Sequence, residues 1–185
     1  METVSGVNNW KLVIRREAAG VTVLRAVTCD ESAALPETLF GLPVTALGDR
    51  ALAPGAPAVP GEAVQVTCGP LPGEDGWDNR RLKALTLPRH LRRVGDYALL
   101  NCGGLERLRL WDDVEFWGGG ALMNCQKLDT FHLTRTGEDQ GESLAYFADE
   151  LSRELDVTVV TAAGETARLL FPEFLEVYEE NCPAH

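Results

Sequence analysis

Apolar positions along the chain change their spacing several times, and the most regular pattern lies in the middle. From Leu82 the motif LxxLxL recurs: Leu82, Leu85 and Leu87 are followed by Leu105, Leu108 and Leu110, then by Leu128, Phe131 and Leu133. The offset is 23 residues, and segments 82–104 and 105–127 align without a gap. Gly95 matches Gly118, Ala98 matches Ala121, and Asn101-Cys102 matches Asn124-Cys125 at the same offset. Alternation around the last two apolar residues of each unit predicts a short strand. One such strand cannot bury its apolar face alone, so stacked copies are expected to place leucine on leucine in a continuous core. Gly95 and Gly118 are expected to permit tight or positive-φ backbone, and Ala98 and Ala121 to allow neighbouring coils to approach closely.

A divergent copy precedes these, where Gly48-Asp49-Arg50-Ala51-Leu52 parallels Gly95-Asp96-Tyr97-Ala98-Leu99. The glycine- and proline-rich stretch between the copies, residues 55–80, is expected as an insertion with a short strand at Val64–Cys68. The flanks follow other patterns. Residues 10–16 and 21–27 alternate as two strands around EAAG, which predicts a hairpin in an N-terminal cap of residues 1–34. Beyond the repeats of 35–134, Leu144, Phe147, Ala148, Leu151 and Leu155 form one helical stripe, with Asp139 or Ser143 available to cap it. DVTVVT and ETARLLF then flank AAG as a second hairpin, and Pro172 opens a short helix, so residues 135–185 form an α+β cap.

The repeat pattern LxxLxLPxxLxxVGxxALxxC resembles the BspA-like class of bacterial leucine-rich repeats. The resemblance covers residues 35–54 loosely and 82–134 well. Trp111 stands where the pattern has Pro88, and Leu99 and Leu122 stand where the family usually has phenylalanine. It implies a leucine-rich-repeat solenoid, a right-handed β-solenoid-like stack with a short parallel sheet, closed by the N-terminal hairpin cap and the C-terminal α+β cap. It also implies an adhesion or interaction module, many relatives being displayed at cell surfaces, and leaves the bound partner open.

Charge alters this picture in one respect. The net charge of −11 divides into −5 over residues 1–79, +4 over 80–135 and −10 over 136–185. A basic island between acidic flanks disfavours nucleic acid and anionic membranes at long range, and an acidic protein segment is its better counterpart. No apolar run approaches the length of a membrane span, and the first residues lack a secretion-signal layout, so a cytoplasmic protein is expected, with cell-surface or secreted placement as the alternative. Five cysteines without CxxC spacing indicate neither a complete disulfide framework nor a zinc site.

The residues alternating with the core leucines define a candidate site. Thr86, Arg109 and His132 are expected in one row, with Arg107 beside them and Trp111 in the next row. Arg107, Arg109, Trp111 and His132 together form a recognition ribbon, because tryptophan and arginine carry a large share of interface energy. Competing readings are weaker: Cys102 and Cys125 fit as buried fillers, Gly118-Gly119-Gly120 lacks a phosphate-loop ending, and the paired acids match no calcium loop. No catalytic residue, metal ligand or cofactor motif is identified. The expected function is therefore a non-enzymatic module that binds a protein or peptide. The alternative is a small-ligand or enzymatic site at the junction of the repeats with the C-terminal cap.

Overall fold

In the computed structural model, residues 1–137 and 142–171 are described. They form two β-sheets packed face to face with one short helix, and not the regular curved leucine-rich-repeat solenoid implied by the sequence. The first sheet has eight strands. Strands β1 (Glu2–Ser5), β2 (Trp10–Glu17), β3 (Gly20–Thr28), β5 (Thr38–Leu39), β6 (Leu42–Leu47), β7 (Glu62–Thr67), β9 (Arg93–Val94) and β11 (Phe116–Trp117) belong to it. Its order is β1-β7-β2-β3-β6-β9-β11, with β5 paired to β6. The second sheet takes β4 (Ser32–Ala34), β8 (Ala84–Thr86), β10 (Arg107–Trp111), β12 (Thr130–Thr134), β13 (Leu155–Val160) and β14 (Thr166–Phe171). Its order is β14-β13-β12-β10-β8-β4.

The 23-residue offset survives as register, but only locally. β8, β10 and β12 are parallel, with Leu85 opposite Leu108 and Leu108 opposite Phe131. Beyond these strands the spacing breaks: Ala34 pairs with Thr86 and Thr130 with Asp156, offsets of 52 and 26. Antiparallel pairs β2/β3, β2/β7, β5/β6 and β13/β14 interrupt the parallel ladders of the two sheets. The units β8–β9 and β10–β11 each place one strand in either sheet, at the common strand spacing of about 4.8 Å, so no thicker outer layer wedges them into a horseshoe. The solenoid and leucine-rich-repeat description, with its two caps, is therefore replaced by a two-sheet mixed α/β fold in which the repeat governs a minority of strands.

The elements follow from the local sequence. Apolar residues of the strands point between the sheets: Trp10, Leu12, Ile14, Leu85, Leu108, Phe131 and Val157 are at most 2% exposed. Each contributes roughly 1.5–3 kcal/mol of burial. The turns stack as well, Leu52 N–H donating to Ala98 O and Leu99 N–H to Ala121 O, both at 2.8 Å. Gly95 and Gly118 serve these turns differently from the sequence expectation. Neither has a positive φ; a Cβ on Gly118 would lie 2.4 Å from Asp96 N, so the residue is set by coil-to-coil contact. Two residues further on, Arg50, Tyr97 and Gly120 take the left-handed conformation at equivalent places in successive turns.

The helix α1 (Ser143–Leu151) is shorter than the predicted stripe, because Leu155 belongs to β13. Ser143 does not cap it; its Oγ accepts from the Trp117 indole at 3.0 Å. Asp139 lies outside the described residues, as does the helix expected from Pro172. α1 covers the end of the first sheet, with Phe147 stacked on Phe131 at 4.2 Å. Tyr146 stacks on Trp117, donates to Gly118 O at 2.9 Å and accepts from Ala121 N–H at 3.0 Å. Both are polar groups of the last turn, satisfied by the phenol as the helix covers it.

Candidate functional site

The outer face of the second sheet carries the candidate site. Parallel pairing sets Thr86, Arg109, His132 and Thr158 in one row, and Ala84, Arg107, Thr130 and Asp156 in the next. Arg107 and Arg109 alternate with the buried Leu108 and Leu110, which turns both guanidinium groups outward. To one side stand only small residues, Ser32, Ala84 and Thr86, and the step down from the arginines leaves a depression of about 360 Å³. Among the described residues neither arginine has an ion pair, whereas Arg168, at the other end of the row of Arg109, is paired with Asp156.

His132 lines the same depression and is half-buried. Its Nδ1 is buried without a hydrogen-bond partner, and burial, then the neighbouring Arg109, lowers its pKa from the ordinary 6.5. The ring is thus a neutral surface at physiological pH. Trp111 continues the outer face of β10 one pleat beyond Arg109 but does not line the depression; it pairs in register with Thr134 and is half-buried. The structure therefore brings Arg107, Arg109 and His132 together and leaves Trp111 at the rim. Immediately after it, Asp112 is 1% exposed at its side chain and lies 3.6 Å from Arg135, an ion pair that closes this end of the strands.

Other candidates resolve into structural roles. Cys102 and Cys125 are fully buried and donate to Leu52 O and Leu99 O. Burial pushes the Cys125 thiol up to about 12 and that of Cys102 well above its ordinary value, which keeps both protonated. Asn101 and Asn124, both in the left-handed region, bond to each other at 2.9 Å. Among the described residues no cluster of three or more His, Cys, Asp or Glu could hold a metal ion. No helix there is long and apolar enough to cross a membrane.

At the junction with α1, Trp117, Tyr146 and Phe147 pack ring on ring, and the surface depression above them is edged by Glu115, Glu142 and Asp149. Sequence reasoning gave no role to Lys11, Arg25 and Trp77, which line a cavity of about 530 Å³ on the opposite sheet. One signal was present: Lys11 and Val13 alternate with the core residues of β2 and so need a cover of their own. No protein-family model matches the chain, and comparison with curated proteins and with solved structures finds no match.

Proposed function

We propose that the protein is a non-catalytic binding module whose second sheet recognises an acidic protein or peptide segment through Arg107 and Arg109, with His132 and Trp111 as flanking apolar surface. The observation that carries this reading is the pair of outward guanidinium groups that have no carboxylate partner among the described residues, beside a depression, in a chain of net charge −11. Arginine is suited to the task because its planar fork donates to carboxylates in pairs. The small residues Ser32, Ala84 and Thr86 leave room for a segment to lie beside the arginines. Among the described residues Cys29, Cys68, Cys102 and Cys125 are free thiols, which supports a working place in a reducing compartment.

The test is affinity capture from native lysate with the wild type and with the double variant Arg107→Ala, Arg109→Ala, followed by titration of the captured partner. Each lost charge-assisted bond is worth about 1.5–3 kcal/mol, so affinity is expected to fall by a factor of at least about 100. Added salt should weaken wild-type binding and leave the residual binding of the variant nearly unchanged. A variant that retains every partner at wild-type affinity refutes the assignment.

A further inference from the structure

The outward residues of the β2/β3 hairpin, Lys11, Val13, Arg25 and Val27, would face solvent in a simple two-sheet stack. Instead, residues 53–58 and 77–80 stand over them and leave a cavity of about 530 Å³. Both walls are anchored by bonds to the sheet beneath. Arg25 Nε donates to Pro57 O at 3.0 Å and its Nη1 to Asp49 O at 2.7 Å. The buried Asn79 side chain accepts from Thr28 N–H and donates to Ala26 O and Leu52 O, all within 3.0 Å. A cavity held open in this way costs little ordering when it is filled, and its volume lies in the range of small-molecule sites.

The lining has a definite chemistry. Trp77 and Pro54 offer flat apolar surfaces, with the Lys11 ammonium 4.6 Å from the Trp77 ring centre. Three cations, Lys11, Arg25 and Arg80, face one carboxylate, Asp78, which Arg80 approaches at 3.8 Å. Among the described residues Arg25 has no carboxylate partner, and burial, then the neighbouring Arg50, lowers its pKa. Among the described residues the carboxylate paired with Lys11 is that of Glu74, whose side chain is 94% exposed and offers a weak, screened pair.

We infer that this cleft binds a small aryl carboxylate, its ring against Trp77 and Pro54 and its anionic head toward Lys11 and Arg25. A neutral aromatic would fill the same volume and leave the positive charge uncompensated, so the site discriminates by charge as well as by shape. The reading is independent of the arginine face, which lies on the other sheet.

The probe is 2-naphthoate, titrated by calorimetry into the wild-type protein, with 2-naphthamide as its uncharged counterpart. One site with a dissociation constant at or below about 1 mM is expected for a ligand of this size. The amide should bind at least about tenfold more weakly. Ala56→Trp fills the cleft from its loop side and should abolish binding with an unchanged melting temperature. Trp77→Ala should weaken binding at least about tenfold. Absence of wild-type binding at millimolar naphthoate overturns the inference. Equal affinity for the amide overturns it too, and so does full binding by Ala56→Trp.

Discussion

Gly118→Ala should destabilise the protein severely, and Gly119→Ala hardly at all, although the two residues are neighbours in one turn. An ideal Cβ on Gly118 falls 2.4 Å from both Asp96 N and Gly95 C, and 2.6 Å from Asp96 Oδ1. Ordinary carbon contacts begin near 3.4 Å, so the turn must retreat from the one beneath it by about 1 Å. The obstacles are backbone, pinned by Gly118 N–H donating to Val94 O at 2.8 Å and by Asp96 N–H donating to Asp49 Oδ1 at 2.9 Å. Overpacking of this kind costs about 1–3 kcal/mol, and stretching the Val94 bond together with the Gly119 N–H bond to Asp96 Oδ1 costs about 1 kcal/mol each. A total of about 3–5 kcal/mol lowers the melting temperature of a chain this size by roughly 6–20 °C. Gly119 has nothing within 4 Å of its Cβ position and no positive φ, so its alanine variant should stay within about 0.5 kcal/mol of wild type. Calorimetric melting of the two variants side by side decides the matter. Equal melting temperatures, or a larger loss for Gly119→Ala, would refute the stacking geometry.

Two further outcomes follow from the burial of titratable groups. Because the folded state lowers the pKa of His132 from 6.5, the unfolded chain takes up a proton first as pH falls. Stability present above about pH 6.5 is therefore lost as the pH drops toward the folded value. His132→Gln should show a smaller loss of melting temperature than wild type between about pH 7.5 and pH 5, and identical slopes would remove this residue as a source of pH dependence. Iodoacetamide at neutral pH should label the exposed Cys68 and spare Cys102 and Cys125 until the protein is unfolded, as read by peptide mass spectrometry; rapid native labelling of either buried thiol would contradict the stacked turns.

The sequence carried the pairing of Leu85, Leu108 and Phe131 because residues at a fixed offset leave a periodic trace. It also carried both hairpins, whose partners lie within a few residues of each other. It did not carry the assembly of these pieces into two mixed sheets. β7 lies between β1 and β2, and Asn79 bonds to Thr28 across 51 residues of chain, contacts with no periodicity to betray them. The same holds for function. The row of Thr86, Arg109 and His132 follows from the offset alone, whereas the cavity beside Trp77 depends on loops from two distant segments folding over one hairpin. The regular copies encouraged extrapolation to a solenoid, yet a repeat specifies only its nearest neighbour. What lies beyond each end is decided by residues such as Tyr146, which covers the last turn by stacking on Trp117 and bonding to Gly118 O and Ala121 N–H.

That ending bears on how the proposed arginine face would select an acidic segment. With β10 flanked by β8 and β4 on one side and by β12, β13 and β14 on the other, Arg107 sits between unlike neighbourhoods. Across Thr130, its row reaches Asp156, whose carboxylate is kept ionised below its ordinary range by the hydrogen bonds of Arg168. An acidic segment crossing the strands in that direction meets a closed ion pair with no net charge, while in the other direction it meets Ala84 and Ser32, which offer space. The arginine of that pair is already occupied, so Arg107 and Arg109 are the cations left to position the segment. Asp156→Asn would release Arg168 and is expected to extend the range of acidic sequences retained on a peptide array, while leaving Arg107 and Arg109 in place.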